Sequence, residues 1–357
     1  MNKRILAALL AVLLLLFAFS SCDVSQLFEG FSSAAQETSD TTLQSPETTS
    51  TTQGTTSPIQ GTTNEEVKLP EPSEDSYFEA HFIDVGQADS ILVICDGHAM
   101  LIDGGNTADA TLVRTYLQAH NITHLDYVIG THPHEDHIGG LTNVMRYIKP
   151  DKVYCSAKSY TTSAFSNFAY YVNSSLKQEL VIPTLGETFL LGAAKVTVVG
   201  PLRLDYEDVN NISIVLRVEY GELSFLFTGD MEGVAELDLV HAGINLKADV
   251  LKVGHHGSGS SSYYQFLNAV RPTYGVISCG RNNDYGHPHS GPLSRLRDAD
   301  VQLYRTDLQG HIVCRTDDGK TLTFTTQMNP DAVTNPTTAQ NDMSYLPTYL
   351  YYEEKFD

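Results

Sequence analysis

The chain is poor in basic residues, in cysteine and in long apolar runs, and each shortage excludes a class of protein. Its 22 lysines and arginines face 43 aspartates and glutamates, so the formal net charge is −21. A surface this acidic repels polyanions at long range, which argues against a protein that coats nucleic acid or anionic membranes. A local metal ion can still bind phosphate, so the charge leaves a phosphate-binding site open.

Cysteines are few and widely spaced. After Cys22 they are Cys95, Cys155, Cys279 and Cys314, a spacing that fits neither a zinc ribbon nor a dense disulfide scaffold. The first three of these four lie in strand-like apolar segments, so we expect buried free thiols. Long apolar runs are confined to the N-terminus, which excludes a polytopic membrane protein. Hydrophobic residues make up 41% of the 357 residues, which is typical of a globular protein.

The N-terminal segment has the pattern of an export signal. Lys3 and Arg4 precede an apolar run over residues 5–19, which is short for a membrane-spanning helix and apolar on all sides. Two serines then lead to Cys22, a pattern that resembles a bacterial lipobox, whose cysteine is diacylated and becomes the mature N-terminus. Plain secretion and an uncleaved anchor are the alternatives. We expect an exported lipoprotein, held at the outer face of the bacterial cytoplasmic membrane through lipidated Cys22.

Composition divides the chain into four segments. Residues 1–22 form the signal peptide, and residues 23–76 are interpreted as a disordered Ser/Thr-rich stalk. Because residues 32–76 contain almost no aliphatic side chains, they cannot bury enough apolar surface to offset the entropy of ordering. Residues 77–327 are expected to form one folded domain. Residues 328–357 are expected to be a polar tail whose tyrosines dock on the domain or on a partner.

Strand-like and helical patterns alternate within the folded segment. We expect helices over residues 108–120, 139–148, 164–180, 232–241 and 260–270. We expect strands over residues 77–83, 90–95, 99–102, 127–130, 196–199, 212–218, 223–228, 250–253 and 274–277. Two sheets with helices on their outer faces satisfy this order.

A cluster of metal-binding side chains directly follows the strand predicted over residues 127–130. Residues 132–137 read His-Pro-His-Glu-Asp-His. Three imidazoles with a carboxylate in six residues offer the nitrogen and oxygen donors that Zn²⁺, Mn²⁺ or Fe²⁺ accept. An ordinary surface or core cluster is the alternative, but it does not require this density. The pattern therefore predicts a metal site where the chain leaves a sheet.

With this motif the sequence resembles the metallo-β-lactamase fold superfamily, whose His-x-His-x-Asp-His loop binds one or two metal ions. Residues 227–230, Phe-Thr-Gly-Asp, resemble the family's metal-bridging aspartate after a strand, and residues 255–258, His-His-Gly-Ser, resemble its late histidine motif. The resemblance implies an α+β fold, a four-layer αββα sandwich of the metallo-β-lactamase type over residues 77–327.

A closer resemblance is to the soluble hydrolase domain of the DNA-uptake competence protein ComEC and its stand-alone relatives. Residues 82–90 read Phe-Ile-Asp-Val-Gly-Gln-Ala-Asp-Ser and resemble that group's opening, with Ala88 where glycine is usual. Residues 103–105, 210–213 and 285–288 match its later motifs as well. This resemblance implies phosphodiester substrates, with single-stranded DNA among them.

The resemblance also implies two divalent metal ions, zinc or manganese with iron as a further option, and no organic cofactor. One ion is assigned to His132, His134 and Asp230. The other is assigned to Asp136, His137, Asp230 and His255. Many family members use a further histidine before the bridging aspartate, but none lies between His137 and His241. We therefore expect the first site to bind its ion more weakly.

Of the paired histidines, we expect His255 to bind metal because it lies nearer the end of the strand over residues 250–253. His256 is then left to contact substrate or donate a proton. The expected catalytic residues are Asp136, His256 and His287. His287 and His289 are candidates for stabilising or protonating the leaving group; ordinary surface-loop histidines are the alternative.

Other polar residues are expected to support this site or to contact the substrate. Asp84 and Asp103 are expected to orient ligating imidazoles. Asn211 is expected either to contribute a carbonyl oxygen at the first metal site or to position the substrate there; an Asx turn before the next strand is the alternative. Ser258 and His289 complete the set of substrate-contacting or supporting residues.

These residues favour hydrolysis. Hydroxide bound between two cations is nucleophilic at neutral pH, because the cations lower the pKa of water and offset charge on phosphoryl oxygens. We expect an extracytoplasmic metal-dependent phosphodiesterase or nuclease. The alternatives are a hydrolase of a cell-wall or small phosphoester, a lactone or a β-lactam, and a non-catalytic surface lipoprotein that binds metal or a partner. The sequence does not indicate an oligomeric state.

The lipobox-like pattern generates the first prediction: Cys22→Ala should release the protein from the membrane fraction into the medium. Each buried methylene of an acyl chain contributes roughly 0.8 kcal/mol of membrane affinity, so losing both chains should move most of the protein. Immunoblots of membrane and medium measure this, with Ser21→Ala as the control that keeps the cysteine. Unchanged membrane association of Cys22→Ala would contradict lipidation.

Overall fold

A computed structural model describes residues 76–336 of the chain. The signal peptide, Cys22, the stalk and the tyrosines of the tail lie outside the described residues. Within residues 76–336, no helix is both long enough and apolar enough to cross a bilayer.

Fourteen strands are described between residues 76 and 336. They are β1 (Phe78–Phe82), β2 (Ile91–Cys95), β3 (His98–Ile102), β4 (His124–Gly130), β5 (Lys149–Cys155), β6 (Thr188–Leu191), β7 (Ala194–Gly200), β8 (Val215–Tyr220), β9 (Leu223–Phe227), β10 (Val250–Lys252), β11 (Tyr274–Ile277), β12 (Gln302–Arg305), β13 (Ile312–Thr316) and β14 (Thr323–Thr326).

Eight α-helices connect them in the same range. They are α1 (Ala110–Ala119), α2 (Glu135–Ile138), α3 (Leu141–Tyr147), α4 (Ser163–Tyr170), α5 (Gly233–His241), α6 (Tyr264–Val270), α7 (Ser290–Asp298) and α8 (Thr306–Gln309). Short 3₁₀ turns cover Thr107–Asp109, Val209–Ile212 and Gly254–Gly257.

The strands form two mixed seven-stranded sheets. The first has the order β14-β13-β1-β2-β3-β4-β5 and the second the order β12-β11-β10-β9-β8-β7-β6. Apolar residues of α1, α3 and α4 pack on the outer face of the first sheet, and those of α5, α6 and α7 pack on the second. Helices therefore cover both sides of a two-sheet sandwich, and the expected four-layer αββα fold is confirmed.

Aromatic side chains fill the space between the two sheets. Phe78 of β1 packs on Phe225 of β9 with ring centroids 4.5 Å apart, and Phe82 packs on Phe227 at 6.2 Å. All four rings are buried. At about 1.5–3 kcal/mol for each fully buried large apolar side chain, this layer holds the sheets face to face.

Several elements differ from the expected ones for identifiable reasons. β5 begins Lys-Pro-Asp-Lys, and because proline is unusual in strands the sequence pattern did not predict this one. The proline is tolerated because β5 is an edge strand of the sheet. β13 pairs with β1 across most of the chain, with Phe78 opposite Thr316, so local pattern does not indicate it. The strand expected from residue 212 begins only at Val215, after a 3₁₀ turn. The helix expected to residue 180 continues from α4 as a π-turn that ends at Leu176.

Ordered contacts continue beyond the expected domain end at residue 327. The Thr334 hydroxyl donates to the carbonyl of Leu303 at 2.8 Å, and the Asn335 amide donates to the carbonyl of Leu293 at 3.1 Å. The first part of the polar tail therefore lies against β12 and α7.

The four cysteines of the domain are buried and free, which confirms the expectation of thiols without disulfides. Burial raises the pKa of the Cys95, Cys155 and Cys279 thiols to about 12. Protonated thiols of this kind act as small apolar core residues.

A buried ion pair links the second sheet to the first connecting loop. Lys252 of β10 is fully buried, and its Nζ lies 2.7 Å from Oδ2 of Asp89, which is 1% exposed. The same Nζ donates to the carbonyl of Val253 at 2.9 Å. Each charge has lost its water, so each depends on the other for compensation.

Lys252→Met should therefore destabilise the fold strongly, because it keeps an apolar stem but leaves the buried Asp89 carboxylate without its ammonium partner. We expect the free energy of unfolding to fall by about 3–5 kcal/mol. Urea denaturation followed by circular dichroism measures it. The control, Lys195→Met, breaks the partly exposed pair with Glu219 and should cost about 1 kcal/mol or less. Equal losses in the two variants would contradict this account.

Candidate metal centre

The loops that follow four strands, two from each sheet, converge at one end of the sandwich. Asp103 follows β3, the His-x-His-x-Asp-His segment follows β4, Asp230 follows β9, and His256 follows β10. These strands are neighbours within their sheets, since β3 pairs with β4 and β9 pairs with β10. Sheet topology thus brings together side chains that are far apart in sequence.

Four of these side chains form a compact group of potential ligands. One nitrogen or oxygen atom from each of Asp136, His137, Asp230 and His256 lies within 4.8 Å of the others. Oδ2 of Asp230 is 3.1 Å from Nε2 of His137 and 3.4 Å from Nε2 of His256. Nε2 of His256 also lies 3.3 Å from Oδ2 of Asp136. Asp230 therefore stands between the two imidazoles.

The hydrogen bonding of this group fits a divalent metal ion. Nε2 of His137 and Oδ1 of Asp230 are buried and have no hydrogen-bond partner, although most buried polar atoms do. The 3.1 Å approach of His137 to Asp230 is not aligned as a hydrogen bond. Imidazole nitrogen and carboxylate oxygen are ligands that Zn²⁺ and Mn²⁺ accept. These residues can therefore hold such an ion.

The electrostatics of the group also favour a cation. Burial alone would raise the pKa of Asp230, but the facing imidazoles of His137 and His256 hold it well below its usual value. Burial lowers the pKa of those two imidazoles, yet the charge of Asp230 outweighs this and raises both pKa values well above the usual one. The negative charge that stabilises the protonated imidazoles of His137 and His256 would also stabilise a divalent ion, and the ion competes with those protons.

Asp103 positions His137 from behind. It is 1% exposed, and its Oδ2 accepts from Nδ1 of His137 at 2.8 Å, while both of its oxygens accept from the N–H and the hydroxyl of Thr131 at 2.8 Å. A Cβ atom on Gly140 would overlap the carbonyl oxygen of Gly104, so only glycine lets the two loops approach this closely. Asp103 therefore orients the imidazole of His137, a candidate ligand, and its role at a metal site stays a prediction.

His132 and His134 lie beside the four-residue group without joining it. Nε2 of His132 is 3.0 Å from Nδ1 of His134, and the Ser213 hydroxyl is 3.3 Å from Nδ1 of His132. Burial, followed by the charge of His137, lowers the pKa of His132 well below its usual value, so the ring is neutral as a metal ligand must be. Neither ring belongs to a compact group of three or more ligands in residues 76–336. The weaker binding of this first site stays a prediction.

The expected choice of His255 over His256 as the ligand is reversed by the geometry. His256 is 2% exposed and joins Asp136 and Asp230, whereas Nε2 of His255 lies 3.8 Å from Asp230 and Nδ1 lies 3.0 Å from Oε1 of Glu232. Both histidines have left-handed backbone, with φ of 47° and 52°. This tight, strained turn aims consecutive rings in different directions, which nearness to the strand end could not indicate.

The expectation that Asp84 orients a ligating imidazole is also wrong, because Asp89 occupies that place. The Asp84 carboxylate accepts from the N–H of Gly86 at 3.1 Å and so closes the turn. Oδ1 of Asp89 lies 3.3 Å from Nδ1 of His256, which also donates to the carbonyl of Ser278 at 2.9 Å. Both aspartates lie in the same loop, and the sequence pattern does not indicate which of the two reaches the imidazole.

Asn210 rather than Asn211 faces the cavity above the metal centre. The Asn211 amide oxygen instead accepts from the N–H of Glu232 at 3.1 Å, so Asn211 braces a neighbouring loop and its expected substrate role is not what the geometry favours. The two residues share a 3₁₀ turn, in which successive side chains point about 120° apart.

The side chains of Ser258 and His289 form hydrogen bonds with neighbouring loop residues. The Ser258 hydroxyl shares a 2.9 Å hydrogen bond with that of Ser260. Nδ1 of His289 accepts from the N–H of Gly259 at 2.8 Å, and Nε2 lies 3.1 Å from the carbonyl of Tyr285. Because backbone groups engage both of its ring nitrogens, His289 is not placed to protonate a leaving group.

His287 lies in the cavity wall. Burial, together with the nearby His256 and His255, lowers the pKa of His287 to about 3, so this ring is neutral at physiological pH. Gln87 Nε2 donates to its Nδ1 at 3.2 Å, which places the ring proton on Nε2. His287 can therefore donate a neutral hydrogen bond at Nε2 but does not supply a charged acid.

The cavity has a volume of about 320 Å³ and opens directly above the four-residue group. Its lining residues are Gln87, His134, Glu135, Asp136, Asn210, Asp230, His255, His256, Tyr285 and His287. Gln87, Asn210, Glu135, Glu232 and Tyr285 were missed as individual site residues, although all but Glu232 fall in recognised motifs. The sequence feature that could have indicated Glu232 is its position two residues after Asp230, directly before α5.

Comparisons with known proteins identify the family. Residues 83–281, more than half of the chain, match the Metallo-beta-lactamase superfamily. The chain is 30% identical to ComE operon protein 3 of Bacillus subtilis over 264 residues, which cover 68% of this chain and 34% of that protein. It is 34% identical to competence protein ComA of Neisseria gonorrhoeae over 229 residues, which cover 64% of this chain and 30% of that one. The chain thus spans about a third of the length of these relatives.

A similar solved structure is the metallo-β-lactamase fold protein YhfI from Bacillus subtilis. Its alignment covers 68% of this chain and all of YhfI, with 12% sequence identity and a TM-score of 0.46.

The reversed histidines generate a prediction about metal affinity. His256→Ala should weaken binding of Mn²⁺ or Zn²⁺ at the Asp136, His137 and Asp230 group by more than the 10- to 100-fold that is typical of losing a supporting residue. The matched variant, His255→Ala, removes the same ring one position earlier and should change this affinity by less than about tenfold. Metal titration by calorimetry measures both, and a larger loss in His255→Ala would restore the original assignment.

Proposed function

This chain belongs to the metallo-β-lactamase superfamily, and we propose that it is an extracytoplasmic metal-dependent phosphodiesterase. The observation that carries the proposal is the group Asp136, His137, Asp230 and His256, in which only Asp136 is partly exposed and three of the four residues line an open cavity. Membership of the superfamily supports a metal-dependent hydrolase. The narrower substrate assignment is our inference.

The cavity's charge distribution supports metal dependence. Its described lining contains three carboxylates, from Glu135, Asp136 and Asp230, and four imidazoles, but no lysine or arginine. A phosphodiester is an anion, and carboxylates alone would repel it. A divalent ion in this group reverses the local field, and the chemistry it supplies when bound is to lower the pKa of water and offset charge on phosphoryl oxygens.

The chain's own contribution begins with the orientation of its imidazoles. Asp103 accepts the Nδ1 proton of His137, and the carbonyl of Ser278 accepts the Nδ1 proton of His256. Both rings therefore direct Nε2, rather than Nδ1, towards the centre, where a bound ion would take the place of the Nε2 proton. Such supporting hydrogen bonds fix the tautomer and the direction of a ligand.

His255 and Glu232 are placed to move a proton at the cavity. Oε1 of Glu232 accepts from Nδ1 of His255 at 3.0 Å and from the Ser260 hydroxyl at 2.7 Å. Burial lowers the pKa of His255, but the hydrogen bond to Glu232 and the charge of Asp230 raise it above the usual value overall. The ring can therefore hold a proton and donate it to a departing oxygen, the role that the sequence had suggested for His256.

The phosphodiester class rests on the resemblance to the ComEC group, and the similarity to competence protein ComA of Neisseria gonorrhoeae supports it. Export and lipid anchoring rest on the N-terminal pattern that ends at Cys22. Together these support a hydrolase of extracellular phosphodiesters, with single-stranded DNA as the leading substrate and two divalent ions as cofactors, zinc or manganese.

Asp230→Asn tests this proposal. The substitution keeps the side chain's shape but removes the charge that separates two cationic groups, so metal content should fall. The rate of hydrolysis of bis-p-nitrophenyl phosphate and of single-stranded DNA should fall at least about 100-fold. Rates are measured with Mn²⁺ and with Zn²⁺, and metal content by mass spectrometry. Asp151→Asn changes an exposed carboxylate and should leave both unchanged.

The outcomes separate the competing functions. Hydrolysis of nitrocefin without hydrolysis of either phosphodiester would favour a β-lactam or lactone substrate. Metal binding without hydrolysis of any of the three would favour a non-catalytic binding protein. An Asp230→Asn variant with full metal content and near-normal turnover would show that the centre is wrongly assigned.

A further inference from the structure

Three aromatic rings form a column that leads from the metal centre to solvent. His256 and His287 stack with centroids 6.3 Å apart and planes inclined by 25°. His287 and Tyr285 stack with centroids 5.6 Å apart and planes inclined by 24°. The first two rings are nearly buried, whereas Tyr285 is 69% exposed. The column thus ends in an open aromatic surface at the mouth of the cavity.

The position of Tyr285 is fixed by its surroundings rather than by burial. The Asn283 side chain accepts from the N–H of Tyr285 at 3.1 Å and from the N–H of His287 at 3.0 Å. Its amide nitrogen donates to the carbonyls of Gly280 at 2.8 Å and His287 at 2.6 Å. The Tyr285 carbonyl lies 3.1 Å from Nε2 of His289. These bonds fix the backbone that carries Tyr285, and His287 stacks on its ring, so less ordering is left for binding and the entropy cost of binding is lower.

The described cavity lining has no lysine or arginine that could hold a phosphate chain. Proteins that bind single-stranded nucleic acid generally combine a positive groove with aromatic rings on which bases stack. Because the described lining has no positive side chains, recognition of a nucleic-acid strand beyond the reacting phosphate depends more heavily on aromatic rings. Stacking is available to an unpaired base but not to one enclosed in a duplex.

We propose that Tyr285, backed by His287, is a stacking subsite for an unpaired nucleobase near the scissile phosphodiester. This rests on the proposed phosphodiesterase function and names its substrate class, single-stranded nucleic acid. The subsite is tolerant of sequence, because every base offers a π-face. It places the sugar-phosphate backbone along the cavity, with the neighbouring linkage towards Asp136 and Asp230.

Equilibrium binding tests the subsite separately from catalysis. The ligand is fluorescein-labelled hexathymidine with phosphorothioate linkages, which resist hydrolysis, and the comparison ligand has the same backbone with abasic residues. Fluorescence anisotropy is measured with the full chain and Mn²⁺. The wild type should bind the base-bearing strand about 5- to 150-fold more tightly. Tyr285→Ala should abolish that difference without weakening abasic binding.

Two variants serve as controls. Tyr285→Phe keeps the ring and should keep the preference for bases. Tyr170→Ala removes a tyrosine that is also 69% exposed but does not line the cavity, and it should keep the preference too. A hexauridine ligand of the same linkage shows whether the favoured strand is DNA or RNA, since either supplies the unpaired base. A thymidine tract of the same linkage that is paired within a stable hairpin duplex should lose the preference.

Equal binding of base-bearing and abasic strands by the wild type would overturn the subsite, as would a preference that survives Tyr285→Ala. Hydrolysis of bis-p-nitrophenyl phosphate is recorded alongside. If the wild type hydrolyses it but ignores bases, the subsite is wrong and the proposed function stands. If it discriminates bases but hydrolyses no phosphodiester, the subsite stands and the proposed function is wrong.

Discussion

The negative charge of Asp230, at a position that is 2% exposed, organises its surroundings. A buried carboxylate is costly unless cationic or hydrogen-bonding groups compensate it. Here the imidazoles of His137 and His256 face it, and the Ser213 hydroxyl accepts from its backbone N–H at 3.1 Å. Without that charge, no attraction would hold the imidazoles of His137 and His256 close to each other.

Each imidazole is in turn held by a carboxylate outside the centre. Asp103 contacts His137, and Asp89, itself paired with Lys252, contacts His256. Negative and positive groups therefore alternate outwards from Asp230, through His256 and Asp89, and the last of them is the buried ammonium of Lys252. β10 ends at Lys252 and is followed closely by His255 and His256. A change in the packing of Lys252 would therefore also move the histidines of the site.

Sequence reasoning reached the fold and most of the centre because both depend on local signals. The spacing of His132 to His137, the Gly-Asp after β9 and the alternation of strands and helices are all legible along the chain. What it missed depends on three-dimensional direction: which of two adjacent histidines points inward, and which aspartate of the first loop reaches it. β13 was missed because its partner, β1, lies more than two hundred residues away.

The candidate ligands come from both halves of the sandwich. Asp136 and His137 follow a strand of the first sheet, and Asp230 and His256 follow strands of the second. Meanwhile β13 and β14, from the C-terminal part of the domain, complete the first sheet beside β1. A chain emerging from a ribosome therefore presents no assembled centre until nearly the whole domain has been synthesised. Binding of a metal ion at this centre would then be a late step of maturation, because a truncated chain would hold only half of the candidate ligands.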